Sequence, residues 1–107
     1  MHRALGPGLL ETAYERCLVF ELSSRGLTVV RQVELPIIYE GFTLDAGYRL
    51  DILVEGQIII EVKAVDALTR VHHAQMMTYL KLSGHRLGFL MNFNVSMFKD
   101  GVKRIIL

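Results

Sequence analysis

The chain has 107 residues, 51% of them hydrophobic, and a formal net charge of +1. That length gives one domain, residues 1–107, with a single small core, and a mean hydropathy of +0.34 excludes a disordered segment. The charge balance lacks the signature of a strongly basic nucleic-acid binder, although clustered carboxylates would cancel basic residues placed elsewhere.

The start, MHRALGPG, carries no signal peptide and enters a helix within a few residues, as a shortened N-terminus would. Gly8 to about Gly26 has helical spacing: Leu10, Ala13, Cys17 and Phe20 form an apolar stripe, with Glu15, Arg16 and Glu21 among the polar positions. Gly26 is the expected stop. Cys17 is the single cysteine. It excludes an intrachain disulfide framework, fits a reducing cytoplasm and is expected in the core. Thr28–Tyr39 reads as one long or bent strand, with Pro36 marking an edge or bulge. Glu40-Gly41 is a turn. Leu44–Val54 and Gln57–Lys63 are two further strands around Glu55-Gly56. Thr69 caps a helix running to about Ser83, with Gly84 as its terminator. Leu87–Phe93 is an apolar strand, and Phe98–Leu107 is a turn at Asp100-Gly101 followed by a final strand. No apolar run approaches the roughly 20 residues that span a bilayer. So apolar a composition in so small a chain leaves surface for a partner to cover, and a homodimer is the plain expectation.

The segment Arg49–Ala64, RLDILVEGQIIIEVKA, places three ionisable groups among Ile, Leu and Val. Leu50, Ile52 and Val54 share one strand face; Ile58, Ile60 and Val62 share another. The six form one continuous apolar surface if Val54 pairs with Ile58, which leaves a three-residue loop, Glu55-Gly56-Gln57. Such a loop needs a left-handed residue at Gly56 or a neighbour. In this register Asp51 lies opposite Glu61, and Lys63 sits two residues further along the same face. A two-residue loop would instead put the two acids on opposite faces.

Two carboxylates a few ångströms apart repel by about 4 kcal/mol at an effective dielectric of about 20. Mg²⁺ or Mn²⁺ relieves this and prefers hard oxygen ligands, among which the Val62 carbonyl would be one more. Such a metal polarises a phosphate oxygen and acidifies a bound water, and a nearby lysine orients the water or offsets charge growing on phosphorus. The same three groups also suit a cross-strand salt bridge on a solvated sheet face.

The Asp51…Glu61-Val62-Lys63 arrangement resembles the PD-(D/E)XK nuclease superfamily. The stretch Gly8-Leu9-Leu10-Glu11-Thr12-Ala13-Tyr14 resembles the signature of the GxxExxY family, a small bacterial group placed in that superfamily. The likeness extends through LGPGLLETAYE, GYRLDILVEG, IIEVKAVDALTRVHHAQMMTYL and MNFNVSMFKDG. Leu50 stands where a proline often precedes the first motif acid. The resemblance implies an α/β fold with a restriction-endonuclease-like α-β-β-β-α-β core, its mixed central sheet flanked by two helices. It implies a nuclease using Mg²⁺ or Mn²⁺ on nucleic acid, DNA rather than RNA. Asp51 and Glu61 would hold the metal, Lys63 would be the motif lysine, and Glu11 would be the acid from the first helix. Tyr14, three residues on, would pack beside the site. Gln75 and Tyr79, four apart on the second helix, resemble the Gln-x-x-x-Tyr element of the exonuclease-like branch, which supports the site and contacts the nucleic-acid backbone. Arg49 would bind phosphate bidentately or pair with a surface carboxylate. His72 and His73 are adjacent on a helix, point about 100° apart and chelate poorly; one would face the cleft rim and the other solvent. Lys99, Lys103 and Arg104 form a modest basic tail. The alternative is a non-catalytic nucleic-acid-binding or protein-interaction module on the same fold.

Overall fold

The computed structural model describes residues 10–45, 47–95 and 98–107, so Gly8, the expected helix start, lies outside the described residues. Helix α1 (Glu11–Ser24) follows Leu10 and ends at Arg25. Gly26 takes φ +86°. Its N–H donates to the Ser23 carbonyl at 3.0 Å, and the Leu27 N–H returns to Leu22 at 3.3 Å. This is the glycine-terminated helix end that the sequence announces.

The buried face of α1 differs from the expected stripe. Leu10 is 80% exposed and Phe20 69%. The face turned inward is Tyr14 and Glu15, followed by Leu18, Val19 and Leu22. Glu15 goes inside because its carboxylate finds partners there.

Thr28–Tyr39 is two strands rather than one. Strand β1 (Val29–Glu34) lies in the main sheet, while β2 (Ile37–Tyr39) pairs only with β3 (Phe42–Leu44) in a separate two-stranded sheet. Pro36 sits between them, where a residue without an N–H costs no ladder bond. Glu40 and Gly41 take φ +51° and +82° between paired Tyr39 and Phe42, the geometry of a two-residue hairpin turn. Likewise Leu44 belongs to β3, and the next strand, β4, begins only at Arg49 (Arg49–Val54). Strand β5 (Ile58–Lys63), helix α2 (Arg70–Ser83) and strand β6 (Leu87–Asn92) follow. A 3-10 turn at Phe98–Gly101 leads into β7 (Val102–Ile106). With the β2–β3 hairpin set aside, the chain reads α-β-β-β-α-β before its last turn and strand.

The main sheet has the order β1-β4-β5-β6-β7. All neighbours are antiparallel except β5 and β6, which are parallel and joined through α2, as parallel neighbours require. One apolar cluster, Tyr14, Ile52, Val54, Ile60, Val62 and Phe93, lies under α1. The other, which includes Leu50, Ile59, Met76, Tyr79, Leu80 and Leu90, lies under α2.

The β4–β5 loop has the three-residue form: Val54 pairs with Ile58, and Glu55 and Gly56 take φ +54° and +64°. The single continuous apolar face does not form, however. Ile52 and Val54 join the α1 side, whereas Leu50 joins the α2 side. Alternation breaks between Leu50 and Ile52. Across from that break, Gln32 of β1 takes φ +54°, and the β1–β4 register skips the Gln32–Asp51 step. Asp51 therefore sits where the sheet bends.

Candidate active site

The β4–β5 ladder is registered from Val54–Ile58 to Ile52–Ile60. Past Ile60 the two carboxylates take over as hydrogen-bond partners. The Asp51 N–H donates to Glu61 Oε1 at 3.2 Å, and the Val62 N–H donates to Asp51 Oδ2 at 2.9 Å. Asp51 and Glu61 are thus locked together by each strand's backbone. Ile60 and Val62 belong to the α1 cluster, so strand alternation turns Glu61 and Lys63 toward α2. Lys63 Nζ donates to Gln75 Oε1 of α2 at 3.4 Å. The structure therefore brings together Asp51, Glu61, Lys63 and Gln75.

Glu61 is only 3% exposed. Desolvation, reinforced by the neighbouring Asp51 charge, pushes its carboxyl up to about 9, although the Asp51 N–H pulls the other way. Burial also raises Asp51; the Val62 N–H and the hydrogen bond with Glu61 oppose this, and the Glu15 charge adds to it. At neutral pH Glu61 holds a proton against the Asp51 carboxylate, and the pair titrates as a unit.

Tyr79 is buried over this pair. Its phenol is raised by desolvation first, then by the charges of Glu61 and Asp51, while a hydrogen bond with Gln75 opposes the shift. Its ring tilts at 60° to that of Tyr48, with centroids 6.2 Å apart. The two tyrosines, Gln75, Thr78, Ile37 and Leu82 line a cavity of about 280 Å³.

The remaining expected residues lie around this cluster. Glu11 comes to the end of β5 from the α1 side, where Oε2 accepts the Ala64 N–H at 3.0 Å. Tyr14 is fully buried and stacks on Phe93, centroids 4.7 Å apart and 15° between planes; it packs in the core under α1. The Phe93 N–H donates to the Lys63 carbonyl at 2.9 Å, so this stack also fixes the lysine backbone. Arg49 forms the surface pair, with Nη1 3.4 Å from Glu34 Oε1. Among the described residues no group of three or more His, Cys, Asp or Glu side chains converges as a metal cage.

Two residues take partners beyond those that the sequence predicts. Glu15 is 4% exposed. It accepts from Arg31 Nε at 3.1 Å and from Gln32 Nε2 at 3.0 and 3.1 Å. It thereby holds the left-handed Gln32 opposite Asp51. The signal was available: Leu18, Val19 and Leu22 fall three, four and seven residues after Glu15, which puts it on the apolar side of the helix. His72 is half-buried and turns back to its own helix start. Its Nδ1 accepts the Thr69 N–H at 3.0 Å, taking the part that Glu or Gln plays three residues into a capped helix.

A family model described as the PD-(D/E)XK nuclease superfamily matches residues 1–105. No curated protein and no solved structure matches the chain.

Proposed function

The chain belongs to the PD-(D/E)XK nuclease superfamily, and from that premise we propose that it is a metal-dependent nuclease hydrolysing phosphodiester bonds, with DNA rather than RNA as its substrate. One observation carries this reading. Asp51 and Glu61 are held carboxylate to carboxylate at the open end of β4–β5, and Lys63 projects on the same side.

The donor set fits Mg²⁺ or Mn²⁺. Burial, reinforced by the charge of the neighbouring Asp51, leaves Glu61 holding a proton, and a divalent cation between the two hard carboxylates would replace that proton. Asp51 and Glu61 would hold it, with the Val62 carbonyl as a further oxygen ligand; Glu11 meets β5 from the α1 side, at the Ala64 N–H. When bound, the metal supplies Lewis-acid activation of the phosphate and a more acidic water. The chain's own part is positional. The β4 and β5 backbone N–H groups fix both carboxylates. Lys63, steadied by Gln75, faces the attacking water and the charge developing on phosphorus. Tyr79 excludes water from beneath the acids, and Gln75 and Tyr79 present the cavity wall to the substrate strand. The homodimer expected from composition draws support from the β2–β3 hairpin, where Ile38, Tyr39, Phe42 and Leu44 are all exposed.

The test is a panel of labelled DNA and RNA, single- and double-stranded, incubated with and without Mn²⁺. Cleavage that needs the metal and disappears in Lys63→Ala, with the folded far-UV spectrum kept, is the expected result. A Lys63→Ala protein that cuts at the parental rate removes the lysine from the reaction. The reading as a non-catalytic binding module has one observation in its favour: Glu61, Asp51 and Glu11 are all engaged by backbone N–H groups of the chain itself. Calorimetric titration separates the two, since the module predicts no Mn²⁺ binding or binding unchanged in Asp51→Ala.

A further inference from the structure

A second cavity, of about 260 Å³, opens on the flank of α2 away from Tyr48 and Tyr79. It is lined by Leu68, Thr69, Arg70, His73, Leu90 and Lys103. Arg70 and His73 come from the first turns of α2 and Lys103 from β7, more than a helix and a strand away in sequence. No acid lines the cavity. The two ion pairs among the described residues are Arg31–Glu15 and Arg49–Glu34, so neither Arg70 nor Lys103 has a carboxylate partner there. A guanidinium, an ammonium and an imidazole lining one hollow, with Leu68 and Leu90 beside them, suit an anion.

The sheet register says where this hollow lies. Glu61 pairs with Leu90, and Leu90 with Lys103. The three residues form one row across β5, β6 and β7, on the face that α2 covers. Adjacent strands are about 4.8 Å apart, so Lys103 stands about 10 Å from Glu61.

We propose that Arg70, His73 and Lys103 form a phosphate-anchoring subsite that grips the nucleic-acid backbone about 10 Å from the Asp51–Glu61 pair. The inference rests on the nuclease reading for its ligand class, but it concerns binding and not cleavage. It also accounts for a net charge near zero in a protein that holds nucleic acid: the acids gather at one position in the row and the cations at another.

The experiment is fluorescence anisotropy of a labelled single-stranded oligonucleotide, in EDTA, across a salt series. Wild type, Arg16→Gln and the double variant Arg70→Gln/Lys103→Gln are compared. Arg70 and Lys103 are exposed, so the double variant is expected to melt like wild type. It should bind about tenfold or more weakly at low salt, with a salt slope shallower by about one for each phosphate it no longer neutralises. Arg16→Gln, which removes a cation from the exposed side of α1, should keep the wild-type slope. Wild-type affinity and slope in the double variant would overturn the subsite, as would a wild type that does not bind the oligonucleotide at all. The nuclease reading fails separately. A wild type that binds with the expected slope yet cuts nothing in Mn²⁺ loses its activity and keeps its subsite. A wild type that cuts, beside a double variant that binds unchanged, keeps the activity and loses the subsite.

Discussion

Glu61→Gln offers a direct test of the shared proton. In the folded protein the Glu61 carboxyl is pushed up to about 9 from 4.5, so between those values the folded state holds a proton that the unfolded chain has released. A folded pKa above the unfolded one gives stability that is complete below about pH 4.5 and is lost as pH rises through about 9. The slope inside the window is at most about 1.4 kcal/mol per pH unit. From about pH 6 to about pH 8 the ceiling is therefore about 2.7 kcal/mol, whichever carboxyl of the Asp51–Glu61 pair holds the proton. An amide at this position mimics the protonated acid: its oxygen accepts the Asp51 N–H, now 3.2 Å from Oε1, and its NH₂ donates to the Asp51 carboxylate. The variant should thus lose the pH-dependent penalty while keeping the geometry. Melting followed by circular dichroism in EDTA reads it out at about 4 °C or more per kcal/mol. Wild type should lose several degrees more than the variant on going from about pH 6 to about pH 8. The titrating groups outside the Asp51–Glu61 pair are common to both proteins and cancel in the comparison. Equal losses in the two proteins would refute the proton on Glu61, and with it the argument that a cation has a proton to displace.

Mn²⁺ should stabilise wild type by about 2.7 kcal/mol at a concentration 100 times its dissociation constant, and EDTA should reverse this; Asp51→Ala should show no such metal-dependent melting shift. Glu15→Ala should cost about 2–3 kcal/mol in urea denaturation, because it strands the Arg31 and Gln32 donors beside a buried pocket, whereas Arg16→Ala on the exposed side should be nearly neutral. Gly101→Ala should cost about 3 kcal/mol or more, since its Cβ would collide with the Asn92 backbone carbonyl; a soluble variant with parental urea midpoint would show that the turn yields.

What was legible in the sequence follows from what local chemistry decides. The α2 boundaries came from Thr69 and Gly84 because helix ends are set by a few backbone N–H and C=O groups and one left-handed residue. The β4–β5 register came from alternation of Leu, Ile and Val around Glu55-Gly56, because a slip of one residue would turn a whole face to water. Asp51, Glu61 and Lys63 were brought together by that register alone. The unread parts depend on non-local partners. Glu15 looked polar and solvated until β1 supplied Arg31 and Gln32. The β1–β2 break looked like one bent strand because Leu35-Pro36 interrupts the apolar run without showing that β2 leaves the sheet. The exchange of Leu50 to the opposite cluster could not be read either, since alternation assumes a regular strand and Gln32 is not in one. These three features meet at one position. Glu15 holds Gln32, Gln32 faces Asp51, and Asp51 sits at the bend that lets its carboxylate reach the Val62 N–H. The catalytic-looking motif is thus written in β4 and β5, but its geometry is set by a buried acid on α1 and a strained residue on β1. If that is so, Glu15→Ala should weaken Mn²⁺ binding more than its stability cost accounts for. Binding to the folded variant at the parental affinity would leave Glu15 a merely structural acid.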